Sequence, residues 1–389
     1  MGRRAIFELA CSPLYRLLVS GWLTTILSMT ELSAEPLLAW YADHHRQLPW
    51  RAVRDPYAIW VSEVMLQQTQ VETVIPYYER WMAAFPTVAA LAGAPIDNVL
   101  KLWEGLGYYR RAHALHRAAG VLVATTGGRL PRDVRSLEAL PGIGPYTARA
   151  IASMAFGADE LALDGNLKRV LSRLFNIELP VNTPDGERLL RAQGLSILPA
   201  GHASEFNQAL MDLGALICRR GVPDCPACPL QDSCQAHQAG EEAERPVRAS
   251  RPDRRHHIRV SAVLRRGKCV LVGKRPEGKL LGGLWEFPGG KLEPGERLDE
   301  ALRREMVEEL DLDVTVGKPI GVYEHAYTHY SVTAHALECG LPANARPKSN
   351  AHSELRWVTP AGLADLPMGK IDRAIAADVA GGSAETTAG

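Results

Sequence analysis

Cys218, Cys225, Cys228 and Cys234 lie within 17 residues, spaced C-x6-C-x2-C-x5-C. Four thiolates this close can surround one metal centre. Zinc with four cysteines usually takes two close pairs and only one is present, so zinc and an iron–sulfur centre are both open on spacing. Pro223, Pro226 and Pro229 make the segment an irregular loop. Upstream the chain reads LPGIGPYTARAI and then LDGN, from Leu140 to Asn166. Gly142 and Gly144 are expected to turn the backbone through positive φ and feed a helix running from Tyr146 to Phe156. Free N–H groups at that helix start, with the dipole behind them, make a seat for one phosphate. Asp164 opens the next helix, as an N-cap, a catalytic carboxylate or both. Glu63 lies in SEVMLQQTQ, where a helix starting near Ile59 puts Glu63 and Gln67 on one face. A backbone clamp beside carboxylates suits an enzyme that grips a nucleic-acid strand and works on it.

A second carboxylate set lies in GKLEPGERLDEALRREMVEELDL, residues 290–312. Glu305, Glu308 and Glu309 stand at i, i+3 and i+4 on one helix face, and such a trio suits a hard cation such as magnesium.

The elements that must carry these residues divide the chain. From Pro36 to about Gln235 the apolar spacing is helical, with stripes at Leu37, Leu38, Trp40 and Tyr41 and at Leu210, Leu213, Leu216 and Ile217. No alternating pattern interrupts it, so this part reads all-α. Residues 238–253 are charged, proline-bearing and poor in apolar residues, as a linker is. Beyond them, Ile258–Leu264 and Cys269–Val272 read as a hairpin, Leu298–Leu310 as an amphipathic helix and Ser331–Leu337 as a strand, so this part reads α+β. The expected division is a domain over 29–237, the linker, a second domain over 254–380 and a disordered tail over 381–389.

Residues 1–28 carry Arg3-Arg4 and an apolar stretch but no small-residue cleavage site. We read them as an early start, with Met29 the true one, or as a disordered extension. No apolar run reaches the roughly 18 residues that cross a bilayer. A cytoplasmic, nucleoid-associated monomer is expected.

Charge is balanced at 44 basic and 44 acidic residues, and residues 31–237 hold 19 basic against 21 acidic. Affinity for a polyanion must therefore come from local groups, for which Arg110, Arg111, Arg149, Lys168 and Arg169 are the candidates.

The PGIG turn followed by LDGN resembles the helix-hairpin-helix DNA glycosylases. Tyr146 stands where the endonuclease III branch has a strand-opening lysine, and tyrosine cannot form a Schiff base. The chain is therefore similar to the adenine glycosylase (MutY) branch from about Glu35 onward. The resemblance implies a base-excision enzyme that hydrolyses the N-glycosidic bond of adenine mispaired with 8-oxoguanine or guanine in double-stranded DNA, leaving an abasic site. Glu63 would protonate the leaving base. Asp164 would face the positive charge growing on the sugar, with Asn166 and Tyr146 positioning it and the attacking water. Gln67, Gln68 and Tyr108 would wedge into the duplex so that adenine leaves the stack. Gly142, Gly144 and Lys168 would meet the DNA backbone. The cysteine loop would hold one 4Fe-4S cluster.

The second domain resembles the Nudix fold, its box matching G-x5-E-x7-R-E-U-x-E-E-x-G-U except that Asp311 replaces glycine. By resemblance, Tyr327, Thr328 and His329 would read 8-oxoguanine. Two further activities stay open: magnesium-dependent hydrolysis of oxidised nucleotides at Glu305, Glu308 and Glu309, and an endonuclease III-like glycosylase with lyase action.

Overall fold

The computed structural model describes residues 32–51, 54–249, 255–327, 330–342 and 344–381. The expected early start, residues 250–253 of the linker, Thr328, His329 and residues 382–389 of the tail lie outside them. In chain order the helices are α1 (Glu35–His44), α2 (Pro56–Leu66), α3 (Val71–Ala84), α4 (Val88–Gly93), α5 (Ile96–Trp103), α6 (Arg110–Thr126), α7 (Val134–Glu138), α8 (Pro145–Phe156), α9 (Gly165–Leu174), α10 (Pro184–Ser196), α11 (Ala203–Leu216) and α12 (Gln235–Ala239). There follow β1 (Arg255–Arg266), β2 (Cys269–Lys274), β3 (Trp285–Glu286), α13 (Leu298–Leu310), β4 (Thr315–Ala326), β5 (Tyr330–Gly340), β6 (Glu354–Val358) and α14 (Lys370–Gly381). These elements form two compact units, residues 32–47 with 145–249 and residues 48–144 with 255–381.

In the first unit, α9 and α11 face each other with Leu167, Val170, Leu171 and Leu174 against Phe206, Leu210 and Leu213. Leu37 of α1 and Leu190 of α10 close that core. Each such side chain contributes about 1.5–3 kcal/mol by leaving water. Of the stripe expected on α1 only Leu37 is fully buried, and Leu216 of the other stripe is 43% exposed because α11 ends there. The stretch from Gln238 to Ala249, charged as a linker would be, is held to this unit. Arg173 donates to the Glu242 and Arg245 carbonyls at 2.8 and 3.1 Å, and Val181 N donates to the Val247 carbonyl at 3.0 Å.

The second unit has a helical part and a sheet part. Helix α2 is buried on every face from Tyr57 to Met65, and Asp55 caps it by accepting from Tyr57 N and Ala58 N. The expected hairpin forms: β1 and β2 pair antiparallel around Gly267-Lys268, with Gly267 at φ +57. The sheet runs β3-β2-β1-β5-β4 with β6 on β2, and β1 pairs with β5 in parallel. Alternate residues of β1 face opposite layers: Val260, Ala262 and Leu264 meet Leu302, Met306 and Leu310 of α13, while Val263 faces the Ile371, Ile375 and Val379 side. Lys274 Nζ bonds Asp97 Oδ1 at 2.7 Å, and Tyr109 donates its hydroxyl to the Met368 carbonyl at 3.1 Å, joining the two parts.

Candidate active site

The hairpin turn reaches its shape through one glycine. Gly142 has φ +77, and a Cβ added there would stand 2.3 Å from the Ala114 Cβ, so only glycine fits. Gly144 lies outside the left-handed region, and the positive φ expected for it is absent. Helix α8 starts at Pro145, whose fixed φ and missing N–H suit a first helical position. Tyr146 follows it, half-buried against the first core.

Asp164 caps α9. Its Oδ1 accepts from Asn166 N at 2.8 Å and Leu167 N at 2.7 Å, and its Oδ2 accepts from Asn166 Nδ2 at 3.0 Å. Burial pushes this carboxyl above its ordinary range, against the pull of those N–H groups and of the Arg169 charge. Arg169 donates to Asn166 Oδ1 at 2.9 Å, to the Cys218 carbonyl at 2.8 Å and to the Gly214 carbonyl at 2.6 Å. The order is therefore guanidinium, amide, carboxylate. An added Cβ at Gly214 would reach 2.7 Å from the Asn166 Cβ, so glycine in α11 leaves room for this arrangement.

Glu63 is 4% exposed in α2. Helix α2 starts at Pro56, three residues before the expected Ile59, and ends at Leu66, with Gln67 as its cap at φ −58 and ψ 112. Gln68, exposed at φ +59, and Tyr108, 43% exposed at φ +48, hold left-handed conformations. For residues with a Cβ this conformation costs about 1–3 kcal/mol each.

The cations expected to meet DNA are largely committed within the protein. Arg169 is buried, and Arg111 spends its guanidinium on backbone carbonyls. Burial lowers the Arg111 pKa to about 10. Arg149 pairs with Glu160 at 3.2 Å and Lys168 with Glu187 at 2.9 Å, whereas Arg110 is exposed. The planar fork of arginine suits several carbonyls at once, which is why the inward two are arginines.

The four cysteines line one cavity together with Arg173, His237 and Glu242. No disulfide joins them. Arg173 donates to Cys218 Sγ at 3.3 Å and to the carbonyls of Arg219 at 2.8 Å and Gly221 at 3.1 Å, pinning the loop. Burial pushes Cys225 up to about 11 and Cys228 up to about 12, with the neighbouring thiols adding to both. Thiols that resist ionisation alone but converge on one cavity fit a metal cluster whose positive charge offsets theirs. Glu242 accepts from Cys225 Sγ at 3.7 Å and is bonded to His237 Nδ1. The sequence reading placed Arg169 only among the DNA contacts and passed over Arg173. Their signal was position, since both fall among Leu167, Val170, Leu171 and Leu174 on the apolar side of α9.

In the sheet part, Arg304 bonds Glu296 at 2.9 Å and Glu305 at 2.9 Å, with Glu308 at 3.4 Å. Glu309 accepts from Gly289 N at 2.9 Å, and Gly290 leaves no room for a Cβ against the Glu305 carboxylate. Burial pushes both Glu305 and Glu309 up. Asp311 takes the glycine-like conformation at φ +55 and pairs with Lys348 at 2.5 Å. Tyr327 stacks on Tyr330 with ring centroids 4.7 Å apart, and burial pushes its hydroxyl up to about 12.

Two family models match the chain: HhH-GPD superfamily base excision DNA repair protein over residues 61–190, and NUDIX domain over residues 259–378. The adenine DNA glycosylase of Homo sapiens is 35% identical over 386 residues, covering 83% of this chain and 69% of the human protein. That of Rattus norvegicus is 35% identical over 377 residues, covering 83% and 73%. That of Buchnera aphidicola subsp. Baizongia pistaciae is 44% identical over 206 residues, covering 52% and 58%. With its Asp164 cradle, its cysteine loop and a Nudix fold behind them, the chain belongs to the adenine DNA glycosylase family.

Proposed function

We propose that the chain removes adenine mispaired with 8-oxoguanine or guanine in double-stranded DNA by hydrolysis, leaving an abasic site. The observation that carries this reading is Asp164. Its carboxylate is fixed by two backbone N–H groups and the Asn166 amide, and among the described residues no cation is bonded to it directly. Glu63 gives its proton to the leaving base as the C–N bond breaks and the bonding pair departs with adenine. Asp164 stabilises the cationic sugar. Water adds to the sugar carbon, its proton passes to a carboxylate, and Asn166 and Tyr146 hold the geometry. Gln67, Gln68 and Tyr108 wedge into the stack. Tyr327, with Thr328 and His329, reads the opposite base. Gly142, Gly144 and Lys168 lie along the DNA backbone, Lys168 exchanging Glu187 for phosphate.

Cys218, Cys225, Cys228 and Cys234 would hold a 4Fe-4S cluster, which orders this loop when bound. Purified protein should carry four irons and four sulfides per chain, with a broad visible absorbance. One zinc per chain would contradict this.

The test is single-turnover reaction with a duplex carrying adenine opposite 8-oxoguanine, resolved with and without hot alkali. Strand cleavage only after alkali supports hydrolytic adenine removal. Cleavage without alkali supports a lyase, and intact strands in both lanes refute the reading.

The formed Arg304–Glu296 and Arg304–Glu305 pairs favour a second activity, magnesium-dependent hydrolysis of 8-oxo-dGTP at Glu305, Glu308 and Glu309. Nucleotide turnover by the full chain with magnesium supports it, and no turnover removes it.

A further inference from the structure

Three stretches of backbone meet at Arg111, the second residue of α6. Its Nη1 donates to the carbonyls of Val64 at 2.8 Å, Met65 at 3.0 Å and Gln67 at 2.6 Å. Its Nη2 donates to the carbonyls of Leu106 and Gly107, both at 3.2 Å, and lies 3.4 Å from Thr69 Oγ1. Val64 and Met65 belong to the last turn of α2, where carbonyls lack partners within the helix. The guanidinium therefore closes the helix that carries Glu63. Gln67 and Gly107 immediately precede Gln68 and Tyr108, both held at positive φ. The same guanidinium lies 5.4 Å from the centre of the Tyr108 ring, within reach of a cation–π contact.

We propose that Arg111 is a positioning residue for extrusion of the target base, holding the end of the Glu63 helix, the Gln68 turn and the Tyr108 turn as one rigid edge. The inference rests on the reading of Gln68 and Tyr108 as the duplex wedge. Shape matters here more than charge. A planar fork reaches carbonyls on two sides of itself, whereas an ammonium on a flexible stem keeps the charge and loses the span. Without that span both strained turns can relax away from the geometry that enters the stack.

The test uses Arg111→Lys in the full chain, on a duplex with 2-aminopurine beside the target adenine to report unstacking. In a Glu63→Gln background, Arg111→Lys should bind duplex within about threefold of its parent while losing most of the fluorescence rise. With Glu63 restored, single-turnover base removal should slow by about 100-fold. Most of that loss should return on a duplex whose flanking mismatches have already unstacked the adenine. Equal slowing on stacked and unstacked substrates, or an undiminished fluorescence rise, overturns the proposal.

Tyr108→Ala separates the two levels. A full fluorescence rise with Tyr108→Ala refutes the wedge reading itself. Loss with Tyr108→Ala and retention with Arg111→Lys refutes the part given to Arg111 alone. If Arg111→Lys fails to fold, Thr69→Val removes one acceptor and leaves the guanidinium. It should show the same selective loss at about threefold, and an unchanged extrusion signal there also overturns the proposal.

Discussion

Asp164 and Glu305 are both carboxylates withdrawn from water, yet they are held by opposite kinds of partner. Neutral N–H groups of Asn166 and Leu167 hold Asp164, and the nearest guanidinium, Arg169, reaches it only through the Asn166 amide. Glu305 is bonded directly to Arg304 at 2.9 Å. A carboxylate held by neutral dipoles keeps its formal charge for a cation that exists only in the transition state. One already paired with arginine shares its charge until a permanent cation competes for it. The first arrangement suits electrostatic catalysis at a sugar, and the second suits a metal site. One chain thus uses the same functional group in two electrostatic settings.

The largest effect that would sharpen this contrast is Glu63→Gln. Removal of the general acid should slow adenine release by about 10²–10⁴-fold with duplex affinity retained, measured by single-turnover gels and equilibrium binding. A loss of binding would instead mark Glu63 as structural. Cys228→Ser should abolish the visible absorbance and lower iron content, with a fall in thermal stability. An unchanged iron-to-protein ratio would break the assignment of that loop.

The sheet part offers a pH test. Burial pushes the Asp372 carboxyl up to about 6, and the nearby Arg259 charge only partly offsets this. Its folded pKa lies above the unfolded value of about 3.9, so its stabilising contribution is full at low pH. That contribution is lost as pH rises through 6. Melting of the full protein between pH 4 and 8 should therefore flatten in Asp372→Asn relative to the parent. An identical slope in both would contradict the buried, proton-holding state. The smallest effect expected is that of Glu305→Gln on adenine release, less than about twofold, in the same gels. A large loss there would tie the two carboxylate sets together.

The visible parts of this design were those written in local pattern. The span Leu298–Leu310 repeats at helical spacing around charged positions, and α13 has those bounds. The β1–β2 turn was legible because Gly267 and Lys268 separate two β-rich runs. By contrast β4 mixes Lys318, Pro319 and Gly321 into a bulged, half-exposed strand whose burial alternates only from Gly321 to Ala326. Helix α2 is buried all round, so no stripe marked its start at Pro56 or its end at Leu66. At the site, Asp164 was readable because capping is local: its partners are two and three residues away. Arg111 was not, because its partners Val64 and Gln67 lie 47 and 44 residues earlier. The balanced charge left it as one of a few local candidates for DNA contact, while the fold turned it inward. Long-range carbonyl clusters leave no trace in spacing.

The most direct test is Asp164→Asn, read by single-turnover adenine release from a duplex with adenine opposite 8-oxoguanine. Asparagine keeps an oxygen to accept from the α9 N–H groups and removes only the charge. The account predicts a loss of about 10²–10³-fold, with duplex affinity and melting temperature near those of the parent. Release at the parental rate would show that the capped carboxylate serves the helix alone, and would contradict the account.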